Sequence, residues 1–198
     1  MTELLEYASS IERRFKPAMV GDHRIDPRRR TCRRAKMTGP LGSELAERIL
    51  ASVPSFLDAL RVTSFSIGEV ELEVVAYEDG AHHGTHLDTA YGNGNSREGD
   101  RRLTAVYYFF RQPKKFDGGN LRLHAFGRGA GPRASADIEP ICNQLVVFPS
   151  WAPHEVLPVS VASGQFEDSR FAINCWVSER TVSARTDEAR AAPTQSGR

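Results

Sequence analysis

His86 and Asp88, one residue apart, are followed far downstream by His154 and then by Arg170. Two imidazoles and one carboxylate form the facial set that holds Fe(II) on three sites and leaves three open for cosubstrate, oxygen and water. Alternate residues of an extended segment point to one side, so His86 and Asp88 can share a metal while Leu87 packs elsewhere. The third ligand must then arrive from another strand. His154 lies in the segment Trp151–Val156, directly after the apolar run Gln144–Phe148, which reads as a buried strand reaching an open end. His-x-Asp is by itself a short motif that often has a structural origin, so its weight depends on the segments around it.

Those ligands need a scaffold of strands. Beyond residue 65, Val70, Leu72, Val74 and Ala76 alternate with Glu69, Glu71 and Glu73, as a sheet with one wet face requires, and short strands then recur between Gly-rich turns. Earlier in the chain the period is helical. Thr2 is placed to cap a helix running through about Phe15, and Ser43 to cap a second with Leu45, Ile49, Val53, Phe56 and Leu60 on its apolar face. Pro54 is expected to kink or split that second helix. The reading is an α+β fold in one domain over 1–180, with helical cover over 1–60 and a double-stranded β-helix, or jelly roll, over 66–180. Residues 181–198 are polar, lack periodic apolar positions and read as a mobile tail.

A chain of 198 residues can bury a proper core as one domain. Its 26 Lys and Arg against 25 Asp and Glu give no general attraction to nucleic acid. No apolar stretch approaches a membrane span, and the acidic start Met1–Glu6 is unlike a signal peptide, which implies a cytoplasmic location. Cys32, Cys142 and Cys175 are odd in number and scattered, so they read as small buried residues rather than as a disulfide framework or zinc cluster. Charge is uneven between Arg24 and Lys36, where Arg28, Arg29, Arg30, Arg33 and Arg34 are opposed only by Asp26. That stretch reads as a solvated edge strand, with a basic surface for an acidic substrate or partner as the alternative.

Tyr77 to Asp88, the strand Leu103–Phe110, Gly118–Leu123, Asp137–Pro140, Val147-Phe148, His154-Glu155-Val156 and Arg170–Ile173 follow one another in order. This succession resembles the prolyl 4-hydroxylase-like family of Fe(II)/2-oxoglutarate oxygenases, and within it the branch of hypoxia-sensing prolyl hydroxylases and their bacterial relatives. The resemblance covers about residues 66 to 180.

It implies that His86, Asp88 and His154 bind Fe(II), that 2-oxoglutarate is the cosubstrate and O2 the oxidant, and that ascorbate is a candidate reductant. Charge points the same way. Fe(II) with two neutral imidazoles and Asp88 stands at about +1, so dianionic 2-oxoglutarate takes the centre to about −1 unless a cation lies further in. Arg170, sixteen residues beyond His154 and at the head of the strand Phe171–Trp176, offers a planar fork suited to the distal carboxylate. A surface ion pair is the plainer alternative for it. Family members keep this cation closer to the distal histidine, which makes Ser160–Ser169 an enlarged turn. The resemblance further implies that Tyr108 bonds the same carboxylate, that Tyr77 lines the pocket, and that Asn174 stands where the family often has a hydroxyl residue. Tyr107 and Tyr108 point to opposite sides of a strand, so only one can face the pocket.

In related halogenases the carboxylate position is a small residue. Asp88 fills it here, so hydroxylation is expected, with oxidative decarboxylation of 2-oxoglutarate to succinate and CO2. The resemblance implies a prolyl residue of a peptide or protein, or a small amino-acid-like compound, as substrate. A non-catalytic sensor of 2-oxoglutarate or metal is the alternative from a different class. Thr89–Arg102, rich in Gly and Asn, reads as a flexible lid or a long hairpin connection. His82 and His83 read as exposed loop residues, with a part in binding substrate or metal as the alternative, and His124 reads as structural.

Overall fold

Two periods, one helical and one of alternating residues, divide this computed structural model, which describes residues 2–19, 25–89, 101–125 and 134–180. The helices are α1 (Thr2–Ser10) and α2 (Pro40–Leu60). The strands are β1 (Lys16–Pro17), β2 (Arg33–Lys36), β3 (Ile67–Tyr77), β4 (His83–His86), β5 (Arg101–Phe109), β6 (Asp117–Gly118), β7 (Leu121–His124), β8 (Ser135–Ile138), β9 (Gln144–Pro149), β10 (His154–Val156), β11 (Val159–Ser160) and β12 (Arg170–Glu179). They form a six-stranded sheet in the order β1-β2-β3-β12-β5-β9, a four-stranded sheet in the order β4-β10-β7-β8, and the pair β11-β6. Every pairing is antiparallel.

Alternation sorts the long strands β3, β5 and β12 into two cores. Val74, Ala105, Phe109, Phe171 and Ile173 pack on one face of the large sheet with Leu4, Ile49 and Val53 of the helices. Val75, Val106 and Ala172 face the other way, against Leu121, Val156 and Phe148. The small sheet thus lies on the face opposite the helices. Each large apolar side chain fully buried here contributes about 1.5–3 kcal/mol, so one slip of β12 by a residue would exchange its faces and lose most of that gain. The glutamate face of β3 is therefore not uniformly wet. Glu71 is held by Arg101 at 3.0 Å and Glu73 by Arg34 at 2.7 Å, and beyond them the same face turns inward as Val75 and Tyr77.

The helix ends differ from the expected ones. α1 stops at Ser10, short of Phe15, because the Ser10 hydroxyl donates to the Tyr7 carbonyl at 2.7 Å and a 3-10 turn over Glu12–Arg14 follows. α2 begins at Pro40, ahead of Ser43. Proline's fixed φ suits the first helical position and Gly39, at φ 89°, supplies the turn into it, while the Ser43 hydroxyl donates back to the Gly39 carbonyl at 3.4 Å. Pro54 does not split the helix, which runs on to Leu60 and ends on Arg61 in the left-handed conformation at φ 53°. β1 also comes from the part expected to be helical cover, while β2 falls in the stretch read as a solvated edge strand and is not itself an edge, since it pairs with β1 on one side and β3 on the other. Residues 181–198, read as a tail, lie outside the described residues.

Candidate metal centre

β4 and β10 are neighbours in the small sheet, and their register sets His86 directly opposite His154. Asp88 follows just beyond β4, where its backbone N–H donates to the Ser150 carbonyl at 3.0 Å. One ligand atom each from His86, Asp88 and His154 lie within 4.8 Å of one another. His86 Nε2 is 3.5 Å from Asp88 Oδ1, and His154 Nε2 is 3.5 Å from Asp88 Oδ2. Leu87 between them is exposed rather than packed.

The remaining ring nitrogens are already engaged. His86 Nδ1 lies 2.9 Å from the Gly84 carbonyl and His154 Nδ1 lies 2.9 Å from the Ala152 carbonyl. A carbonyl accepts and never donates, so each Nδ1 carries a proton and Nε2 is the ring nitrogen left to face Asp88. From the large sheet, Thr104 Oγ1 donates to Asp88 Oδ2 at 2.8 Å and lies 3.0 Å from Ser150 Oγ. Burial alone would raise the Asp88 pKa, but the His154 and His86 imidazoles, with the Trp176 indole, more than offset it and hold the carboxyl well below the usual range. Burial also pushes His154 down to about 4, against the opposing pull of Asp88. Near neutral pH His154 is thus a neutral imidazole and Asp88 a carboxylate, and with His86 they make a set of two imidazoles and one carboxylate. That is the donor set Fe(II) takes, with room left for further ligands.

Arg170 opens β12 directly opposite Tyr77 of β3 and is only 1% exposed. Its guanidinium carbon is 4.7 Å from the Tyr77 ring centroid and 4.8 Å from that of Tyr108, so the cation lies between two aromatic faces. Its Nε donates to the Gly119 carbonyl at 2.8 Å, and no carboxylate pairs with it among the described residues. Gly119 has no alternative at that place. Its φ is +72°, and an added Cβ would stand 2.7 Å from Arg170 Cδ and 2.9 Å from Val159 Cγ2. The Tyr108 hydroxyl is buried without a hydrogen-bond partner among the described residues. Burial raises the Tyr108 pKa, with Arg170 opposing, so the phenol keeps its proton and can donate. A buried cation and an orphaned donor side by side fit a carboxylate. Tyr77, Asn174 and Arg170 line one cavity with the three metal-ligand candidates.

Residues 72–178 match the family model described as the 2OG-Fe(II) oxygenase superfamily, where 2OG is 2-oxoglutarate. The chain belongs to that superfamily. It is similar to an uncharacterised PKHD-type hydroxylase of Synechocystis, 33% identical over 144 residues that make up 71% of this chain and 46% of that protein. A PKHD-type hydroxylase of Maricaulis maris is 30% identical over 115 residues, 58% of this chain and 44% of its own. The chain spans about half the length of the curated relatives it matches. Among solved structures it resembles a Pseudomonas putida prolyl-4-hydroxylase with a TM-score of 0.63 and 23% identity, over 90% of this chain and 84% of that one. A Trichoplax adhaerens prolyl hydroxylase, in complex with a peptide fragment of the hypoxia inducible factor oxygen degradation domain, gives 0.64 and 22%, over 90% and 77%. At these identities the two structures speak for the fold. The superfamily's name supplies the metal and the cosubstrate, and His86, Asp88 and His154 form a possible iron site for it.

Several sequence expectations meet in this cavity and others change. Tyr108 packs on the small-sheet side of β5 with its ring against Arg170, whereas Tyr107 turns toward the helices and donates to Asn143 Oδ1 at 2.6 Å. Arg170 is no surface ion pair. Asn174 lies on its face of β12, between Val106 and Glu73 in register. His83 is not an exposed loop residue: it opens β4, is buried, and stacks on His86 with centroids 3.5 Å apart. Burial, then the neighbouring His86, drives its pKa down, so it stays neutral. His82 is half-buried with Nδ1 3.2 Å from Thr31 Oγ1, and His124 Nε2 lies 3.2 Å from Glu155 Oε1. Thr104, Ser150, Trp176 and Arg30 were not anticipated at the site. Polar residues inside a strand, alternating toward the ligand face, were the signal available for Thr104. The proposed lid over Thr89–Arg102 falls on residues 90–100, outside the described residues. No helix of the described residues is long and apolar enough to cross a membrane.

Proposed function

We propose that this chain is an Fe(II)- and 2-oxoglutarate-dependent hydroxylase, with iron held by His86, Asp88 and His154 and the distal carboxylate of 2-oxoglutarate received by Arg170. The observation that carries the reading is the buried Arg170 guanidinium, flanked by Tyr77 and Tyr108 in the cavity of the triad. A cation so placed needs an anion, and a two-carboxylate cosubstrate supplies one at the right side of the metal. When bound, the metal and cosubstrate supply oxygen activation coupled to loss of CO2, which leaves succinate.

The chain's own residues hold and exclude. The Gly84 and Ala152 carbonyls fix the two imidazoles in the ligating tautomer, and Thr104 orients Asp88. Arg170 and the Tyr108 hydroxyl orient the cosubstrate, Asn174 adds a polar contact beside them, and Tyr77 forms a wall. Leu121 and Val156 keep water from the reacting centre. Asp88 occupies the position a halide would need, which favours hydroxylation over halogenation. The two facing antiparallel sheets are read as a jelly roll, and 1–180 as one oxygenase domain. Likeness to PKHD-type hydroxylases and to prolyl hydroxylases supports a prolyl residue or an amino-acid-like compound as the substrate. The test supplies Fe(II), 2-oxoglutarate, ascorbate and labelled O2 with a panel of prolyl peptides and amino acids. Succinate should form faster with the right panel member, whose product gains one labelled oxygen atom and no chlorine. Tight 2-oxoglutarate binding with neither outcome would replace the enzyme by a sensor.

A further inference from the structure

Arg30 stands in the same cavity as the metal-ligand candidates, yet the metal and cosubstrate account for only Arg170. Its backbone pairs with that of His83 in an isolated antiparallel bridge, and the His83 ring stacks on His86 at 3.5 Å, so Arg30 is one residue removed from a ligand. Its Nε donates to Cys32 Sγ at 3.1 Å. Cys32 is buried, which anchors the side chain and leaves the terminal guanidinium donors for the cavity. Arg33 and Arg34, from the same basic stretch, are paired with Glu78 at 2.9 Å and Glu73 at 2.7 Å. Among the described residues Arg30 has no such pair. Glu73 lies within electrostatic range of it, but no ion pair joins the two among the described residues, and Glu73 Oε1 is held by Arg34.

Charge then becomes decisive. The cavity walls carry two guanidiniums, Arg30 and Arg170, and one carboxylate, Asp88. With Fe(II) and dianionic 2-oxoglutarate added, about one positive charge remains uncompensated in a space where unpaired charge is costly. In the hydroxylase reading both carboxylates of the cosubstrate would be engaged, one by Arg170 and one by the metal. The remaining guanidinium, Arg30, would then pair with a third anionic group.

We propose that Arg30 is a substrate-recognition residue, and that the compound oxidised in this cavity carries a carboxylate which pairs with its guanidinium. This rests on the hydroxylase reading and narrows it: among prolyl and amino-acid-like compounds, those with a free acid group close to the oxidised carbon are selected. An acid is preferred to its amide because a planar fork gains two charge-assisted hydrogen bonds only from the former.

The test uses the full chain loaded with Mn(II) and 2-oxoglutarate, and a panel of N-acetyl amino acids, N-acetylproline included, with their carboxamides. Binding is followed by calorimetry, without turnover. At least one acid should bind about tenfold or more tightly than its amide, Arg30→Gln should abolish that difference, and Arg30→Lys should restore part of it. Affinity for 2-oxoglutarate should change less than about twofold in either variant. Acids and amides binding alike, no panel member binding, or Arg30→Gln and Arg30→Lys both weakening 2-oxoglutarate would overturn the assignment, the last by giving Arg30 to the cosubstrate. Loss of Mn(II) and 2-oxoglutarate binding by the unaltered protein would instead overturn the hydroxylase reading itself.

Discussion

Gly119→Ala is the perturbation that most sharply separates the anion pocket from the metal centre. The residue is not one of the three metal-ligand candidates, yet its carbonyl accepts the Arg170 Nε–H at 2.8 Å. An added methyl would meet Arg170 Cδ at 2.7 Å and Val159 Cγ2 at 2.9 Å, both closer than real Cβ contacts come. A φ of +72° adds about 1 kcal/mol for any residue with a Cβ. Overpacking of a buried site adds about 1–3 kcal/mol more, so a total loss of about 2–4 kcal/mol is expected. Part of it is relieved by moving Arg170, the more yielding neighbour, out from between Tyr77 and Tyr108. A cation displaced from a bidentate pair weakens its anion by about tenfold or more. Calorimetry on the Mn(II)-loaded variant should therefore show 2-oxoglutarate binding weakened by that factor, with Mn(II) affinity changed less than about twofold and a lowered melting temperature. A folded variant that binds 2-oxoglutarate as tightly as the unaltered protein would refute the role given to Arg170.

Arg170→Lys should weaken 2-oxoglutarate, since a point charge replaces a fork, and Arg170→Ala should weaken it more, as read from the apparent KM, with metal binding retained in both. Thr104→Val removes the hydroxyl that holds Asp88 Oδ2 at 2.8 Å and should weaken metal about 10–100-fold, measured by competition with a chelator. Burial, with Glu71 nearby, pushes the Cys175 thiol up to about 12, so it stays protonated as pH rises and should resist iodoacetamide in the native protein at pH 8 (about 0.5 below a free thiol's pKa), becoming reactive on unfolding.

Chemistry-bearing residues were legible where type, order and strand position agreed. His86, His154 and Arg170 occupy strand ends, Asp88 follows just beyond β4, and the antiparallel register of β4 with β10 and of β3 with β12 brings them to one cavity. The choice of Tyr108 over Tyr107 required knowing which face of β5 meets the small sheet. His83 was misjudged because Gly80 and Gly84 around it read as a loop, while pairing of β4 with β10 extends and buries it. Arg30 looked like one more solvated arginine. Only its backbone pairing with His83 and the bond from its Nε to Cys32 turn it inward, and the first of these joins segments that are far apart in the sequence. Helix ends failed for a local reason: proline at the first helical position and serine at the last decide them more strongly than the nearest capping residue.

The most direct measurement is a calorimetric titration of 2-oxoglutarate into the protein with and without Mn(II), repeated with His86→Ala and His154→Ala. One equivalent of 2-oxoglutarate should bind to the metal-loaded protein, with binding sharply weakened without metal and in both variants, whose own Mn(II) affinity should fall. Unchanged Mn(II) binding in both variants, or 2-oxoglutarate binding that ignores the metal, would contradict a centre built from His86, Asp88 and His154 beside Arg170.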